Sequence, residues 1–309
     1  MEKYLISRKV SSRLKKLANS APVIFTLLWS TGFVGAKYIL PYAEPFVFLT
    51  IRYALAALIL LLIAKAIKEP LRISREQVKQ SIKTGVFLQV IYIGGVFYAI
   101  SLGLPAGVTA VVVSLQPILV SVIAFRILGE GLGLRKIAGL ILGLAGVLLL
   151  LLPKVFQGVW NLEFSKVALV ASVLALLGTT TGYLLQKKGG SEIPFLPGTA
   201  IQFITATILF AIAGLLFEDW SVDINLEFLL ALTWIVVALS IGSIFLLFYL
   251  LKNDSASSVS SLYYLVPPLT ACQAFVLFGE RITQIGILGM VLAGIGTYLV
   301  TRNSANAGH

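Results

Sequence analysis

Apolar residues follow one another along this chain in runs too long and too continuous to be one face of a soluble amphipathic helix. Ten such runs can be marked, at 22–40, 45–66, 82–103, 105–127, 134–152, 166–187, 195–217, 228–251, 256–278 and 283–301. Each is close to or longer than the roughly 20 residues that cross a bilayer as a helix. Polar residues and turn formers collect in the short gaps between them. The pattern predicts an all-α membrane protein with ten transmembrane helices.

The runs are arranged in two halves. Shifting the sequence by 150 residues lays Pro117 on Pro267, Gly129–Glu130 on Gly279–Glu280, Gly139 on Gly289 and Gly146 on Gly296. The same shift lays Thr31–Gly32 on Thr181–Gly182 and Lys37 on Lys187. Leucine matches are cheap in so apolar a chain, but a proline, a Gly-Glu pair and two glycines aligned without a gap mark a duplication. The expected division is a basic segment over 1–21, a first five-helix repeat over 22–152 and a second over 153–309. Because five is odd, the second repeat must enter the membrane upside down relative to the first, and inverted repeats are the physical basis of alternating access to a central site.

Composition agrees: 58% of the 309 residues are hydrophobic, 12% are charged, and the mean hydropathy is +0.97. The net charge of +11 lies in the amino-terminal segment and the short connections, where membrane topology alone places it, so nucleic acid is not an expected partner. With the amino terminus inside, 19 of the 24 Lys and Arg fall on inner segments and 4 on outer ones, which puts both termini in the cytoplasm. Residues 1–21 carry six basic side chains and read either as a basic helix on the anionic leaflet or as an orienting tail. The first run is expected to stay as an uncleaved helix. One cysteine, Cys272, and one histidine, His309, rule out an internal disulfide and a Cys/His metal cluster.

Several polar side chains stand at mid-membrane depth. Arg52 is the one clearly intramembrane charge, with no acid at similar depth to pair with it; it either holds an anionic group of a substrate, or snorkels outward or ties down backbone carbonyls. Pro117 and Pro267 each lie deep in a run, where they weaken the bonds of the Val113 and Tyr263 carbonyls, so a cavity is expected beside Gln116, Tyr263 and Tyr264. Trp29 and Thr31, Gln89 and Tyr92, and Thr181 complete the candidate substrate-binding set. Around the two prolines the chemistry diverges, Ser114 and Gln116 becoming Tyr264 and Val266, as one asymmetric cavity requires. Glu130 and Glu280 precede the next helix and read as caps for it rather than as gates. The glycine-rich faces at Gly139, Gly143 and Gly146, and at Gly286, Gly289 and Gly296, suit close helix packing, within the chain or in a homodimer.

Some chemistry is missing. The spans contain no deep Asp, Glu or His for a proton relay, and the chain has no phosphate-binding loop of the GxxxxGK[ST] form, so neither a cofactor nor ATP drive is expected. A membrane enzyme on lipid-linked substrates needs paired acids, a histidine or a metal cluster, which the sequence does not offer. A scaffold or sensor is the other alternative.

Together, Trp29–Ser30–Thr31–Gly32, Arg52, the Pro117 and Pro267 helices, and the Gly129–Glu130 and Gly279–Glu280 junctions followed by glycine-rich helices resemble the EamA branch of the drug/metabolite transporter superfamily. The resemblance covers nearly the whole chain. It implies a bacterial cytoplasmic-membrane transporter, often an exporter of amino acids or other small metabolites, with a cavity between the halves. The clustered cationic residues of sugar-phosphate relatives are absent, as is the first-helix glutamate of the small multidrug relatives, since 22–40 holds no acid. The expected substrate is therefore neutral or zwitterionic and partly apolar, and its flux should depend weakly on a proton gradient.

Overall fold

The computed structural model describes residues 20–302 apart from 33, 34, 36, 37, 105, 160–164, 191, 280 and 281, with the side chains of 106, 107, 152–159 and 278 also outside the description. Lys37 and Glu280 therefore lie outside the described residues. The first helix, α1, occupies 20–32. It is followed by α2 (Pro45–Ala66), α3 (Arg75–Ser101), α4 (Ala106–Val113), α5 (Gln116–Ile127) and α6 (Leu134–Val159). Then come α7 (Lys166–Gly190), α8 (Phe195–Phe217), α9 (Leu226–Asn253), α10 (Ala256–Ser261), α11 (Val266–Phe278) and α12 (Gln284–Thr301). Among the described residues, eight helical stretches are long and apolar enough to cross a membrane, and the one extended pairing is an isolated bridge between Ala43 and Val222.

Two of the expected runs differ from a simple helix. The run 105–127 breaks at Ser114–Leu115, and 256–278 breaks at a 3-10 turn over Leu262–Leu265. Pro117 and Pro267 each stand in the first turn after such an interruption, where the backbone remains in the right-handed helical region, so each marks a local break in a stretch that continues past it. The first turn is where a missing N–H costs nothing and a fixed φ helps. Elsewhere the helices run past the apolar stretches because polar residues cap them. Ser74 and Gln77 form a reciprocal capping box that starts α3 seven residues before the apolar run, and Asn225 caps α9 through the Phe228 amide.

Local conformation repeats with the sequence. Gly129 and Gly279, 150 residues apart, both adopt left-handed φ, +70° and +65°, to end α5 and α11. α3 and α9 each widen into a π-helical segment, Val86–Gly94 and Ile235–Ser243, within one residue of the same shift. Wide turns of this kind frequently mark functional sites, and here they carry Gln89, Tyr92 and Ser240.

Helices that correspond under the shift also pack on each other. α2 and α8 meet through Tyr53, whose ring lies 5.2 Å from Phe203 and 5.8 Å from Phe210. α6 and α12 meet through their glycines. A Cβ on Gly139 would sit 2.7 Å from the Gly296 carbonyl oxygen, and one on Gly289 would sit 2.5 Å from that of Gly146. Without a hydrophobic drive in lipid, this backbone proximity is what holds two helices together. The two glycine faces are thus turned toward each other inside one chain.

Candidate functional site

The helix ends define two faces of the bundle. On one face, the loop from Leu40 to Pro45 is laced to the loop after α8. Glu218 accepts from the Phe46 and Val47 amides at 2.8 Å each and so caps α2, while Glu44 accepts from the Asp219 amide at 2.8 Å. Tyr42 donates to Glu227 at 2.6 Å, and its carbonyl accepts from the Asp223 amide at 2.8 Å. Burial pushes the Glu218 carboxyl above its ordinary value, against the pull of the two amides. Tyr42, Glu44, Phe46, Glu218 and Asp223 border a vestibule of ≈ 1020 Å³.

Below the vestibule lies a smaller cavity of ≈ 70 Å³, and Leu40 and Ile100 line both. Its walls come from α1, α2, the stretch of α3 from Tyr92 to Ile100 and the π segment of α9. Ile93, Val96, Phe97, Ile235 and Leu239 make it apolar; Arg52, Tyr92 and Trp29 give it a polar edge. The Arg52 side chain is 8% exposed, donates through Nε to Ser240 Oγ at 2.8 Å, and lies 5.0 Å from the Tyr53 ring centre. Tyr53 in turn donates to Gln89 Oε1 at 2.9 Å. Among the described residues no carboxylate lies within salt-bridge distance of Arg52. A buried guanidinium with a hydroxyl for a partner and open space beside it suits an anionic group of a ligand.

Toward the other face the cavity ends on aromatic rings. Trp29 lies 5.3 Å from Phe25 and 5.4 Å from Tyr263, and Tyr263 lies 5.8 Å from Tyr183. Below them, Glu130 accepts from the Ala256 amide at 2.6 Å, the Ser257 amide at 3.1 Å and the Ser257 hydroxyl at 2.6 Å. Lys187 donates to the carbonyls of Leu251 and Asp254, which close the end of α9. That end is separated from the vestibule by the 28 residues of α9, about 42 Å of helix.

Most of the candidate residues are thereby located. Trp29, Arg52 and Tyr92 line the cavity, Tyr263 supports its floor, and Gln89 stands behind it through Tyr53. The structure sets the others apart from it. Thr31 accepts from Trp234 Nε1 at 2.9 Å and faces a lateral groove between α1, α9 and α11. Tyr264 is fully buried over Gly143, in the space that glycine leaves on α6. Gln116 is 1% exposed, with neither side-chain polar atom partnered, and Thr181 is half-buried; neither lines the cavity. The cavity that Arg52 borders lies beside the π segments and not beside the proline breaks, where Gln116 and Pro117 are buried without lining it. Glu130 does cap a helix N-terminus, but it is that of α10 across the molecule and not that of α6: the left-handed Gly129 ends α5 in a turn that holds the Glu130 amide to the Ala124 carbonyl. Tyr53 is not signalled by the sequence, and Ser240, a polar residue at mid-membrane depth, stands outside the candidate substrate-binding set. On α3, Gln89, Tyr92, Val96 and Ile100 fall at helical spacing, so extending that face would have found the apolar wall.

The chain is 27% identical over 283 residues to the Bacillus subtilis protein named uncharacterized transporter YvbV, with 90% of this chain and 89% of that one covered. It is 28% identical to protein PecM of Dickeya dadantii, covering 92% and 89%, and 24% identical to an Escherichia coli protein named "Probable amino-acid metabolite efflux pump", covering 90% and 92%. A solved crystal structure superposes with a TM-score of 0.77 at 19% identity, over 94% of this chain and 98% of the other, which shows a common fold. The model of the EamA-like transporter family matches twice, over residues 18–152 and 166–302. With nearly all of its length matched in this way, the chain belongs to the EamA-like transporter family and is a multi-pass membrane transporter.

Proposed function

We propose that this transporter moves small neutral or zwitterionic metabolites with an apolar part, such as amino acids, outward across a bacterial cytoplasmic membrane. The observation that carries the reading is the cavity beneath the vestibule, apolar on most sides, with Arg52 held at its edge by Ser240 and no carboxylate beside it. Arg52 would take the carboxylate of a zwitterion, and Phe97, Val96 and Leu239 would take its side chain. The efflux pump named among the relatives is in keeping with such a cargo.

Ten crossings in two inverted halves, with both termini in the cytoplasm, fit this reading. It is supported by the repeated left-handed glycines, the repeated π segments and the packing of corresponding helices. On that topology the vestibule opens to the outside, and the Glu130, Lys187 and Trp29 contacts close the inside. Alternating access would part the Glu130 and Lys187 contacts on the inside while the vestibule narrows on the outside. Proteoliposomes loaded with a labelled panel of amino acids should release at least one of them faster than protein-free vesicles. Equal release across the panel would count against the reading.

A further inference from the structure

In membrane helices a buried serine or threonine ordinarily returns its hydroxyl to a carbonyl three or four residues back. Thr26, Thr50 and Thr180 do so here, as do the half-buried Thr205 and Thr207. Among the described residues seven buried serine and threonine hydroxyls have no partner, and three of them surround one small void. Ser81 and Thr84 on α3 and Thr199 on α8 are each 1% exposed, and none of their oxygens has a partner. One turn beyond Thr199, Gln202 donates through Nε2 to Gln186 Oε1 at 3.3 Å and leaves its own Oε1 buried and unpartnered. The pairs 81/84 and 199/202 have the spacing that puts both members on one helix face. Their helices touch closely, since a Cβ on Gly85 would lie 2.9 Å from Gln202 Cα. All four residues line a void of ≈ 10 Å³, closed on a third side by Gln186 and Gly190 of the π-helical end of α7.

Four buried oxygens with unused lone pairs around a space for one water-sized sphere need an occupant, because each unpartnered group costs on the order of 1–3 kcal/mol. Two features favour a cation over an anion. The unpartnered side-chain atom of Gln202 is its acceptor oxygen. No Lys or Arg lines the void, and Lys187, next to Gln186, gives its ammonium to the carbonyls of Leu251 and Asp254. The carboxyl end of α7 and the amino end of α8 both border the void, so their dipoles offset each other there. Divalent cations draw on carboxylates, and no Asp or Glu lines this void. Neutral oxygens at a helix end are the donor set that transporters use for a monovalent coupling ion.

We propose that Ser81, Thr84, Thr199 and Gln202 form a sodium-binding site that joins α3, α7 and α8. This deepens, and rests on, the transporter reading: α3 carries Ser81 and Thr84 at one end and Gln89 and Tyr92 further along, so an ion that fixes α3 also fixes one wall of the substrate cavity. Sodium would then favour one access state without any buried acid.

The test uses the purified full chain, melted in NaCl, KCl and choline chloride at equal ionic strength, together with equilibrium dialysis of radioactive sodium. Wild type should melt higher in sodium alone and retain the isotope. Thr84→Val and Thr199→Val should melt higher than wild type in choline, having lost an unpartnered hydroxyl, yet should lose the sodium-dependent rise and bind sodium at least about tenfold more weakly. Thr205→Val, which removes a back-bonded hydroxyl, should keep the rise. Identical melting of wild type in all three salts with no retained isotope means the void holds water only and overturns the site, while leaving intact any substrate release from proteoliposomes. Retained isotope with flux indifferent to a sodium gradient overturns the coupling role and leaves the site standing.

Discussion

Arg52 Nε and Ser240 Oγ lie 2.8 Å apart, joining α2 to the π segment of α9 through a guanidinium and a neutral hydroxyl. A neutral partner steadies the cation without cancelling its charge. Hydrogen bonds to charged groups contribute about 1.5–3 kcal/mol, so Arg52→Ala should weaken a carboxylate-bearing substrate at least about tenfold. Arg52→Lys keeps the charge and loses the planar fork, so it should recover only part of the affinity. Ser240→Ala should raise KM less than either while leaving the elution profile of the solubilised protein normal. Ligand-induced thermal shifts on the three variants check the order.

Glu130 satisfies three donors at the start of α10, two of them amides that no other side chain reaches among the described residues. Glu130→Ala should cost about 1–2 kcal/mol, as loss of a helix cap does, and lower the melting temperature. Glu130→Gln should lie between. Flux through Glu130→Gln should respond to an imposed pH gradient as wild type does. A gradient response confined to wild type would make Glu130 a proton site instead.

Gln116 and Gly139 should separate binding from packing. With both side-chain polar atoms of Gln116 buried and unpartnered, Gln116→Leu should raise the melting temperature and leave substrate affinity unchanged. Gly139→Leu would drive a side chain against the Gly296 carbonyl and should sharply lower the yield of folded protein. A loss of substrate affinity in Gln116→Leu at normal yield would extend the site to the start of α5.

Glu218 sets a pH dependence. Burial holds its carboxyl above the ordinary 4.5, so the folded chain binds that proton more tightly than the unfolded chain does. Its contribution is therefore fully present below 4.5 and is lost as pH rises through the elevated folded value. Asp254, raised by burial against the pull of Lys187, acts in the same sense. The melting temperature of wild type minus that of Glu218→Gln should grow as the solution is acidified from neutrality toward 4.5. A constant difference would show that Glu218 titrates as it does in the unfolded chain.

The helical class and the position of Arg52 were legible because hydropathy and charge are read directly along a chain. Trp29 and Tyr92 were legible because large hydrogen-bonding side chains at that depth need a cavity or a partner. Tyr264 was misplaced because depth does not fix rotation: one residue from Tyr263 in a 3-10 turn, it points about 120° away, onto Gly143. The π segments had no signature, since a wide turn depends on what packs against it, such as Phe210 against Gly94. Ser240, which meets Arg52, lies on one of these segments. The target of Glu130 was hidden for another reason, as a cap formed between residues 126 apart leaves no local trace.

The same contact bears on synthesis. A nascent chain leaves the ribosome from its amino end at about 5–20 residues per second, so Glu130 enters the membrane some ten seconds before the Ala256 and Ser257 amides exist. The N-terminus of α2 waits longer still, because Phe46 precedes Glu218 by 172 positions. α2 is thus inserted with an open N-terminus that only a late residue closes, whereas α10 arrives to find its cap already in place: a chain truncated before Glu218 leaves the Phe46 and Val47 amides open at one end of the bundle and the Glu130 carboxylate without its donors at the other.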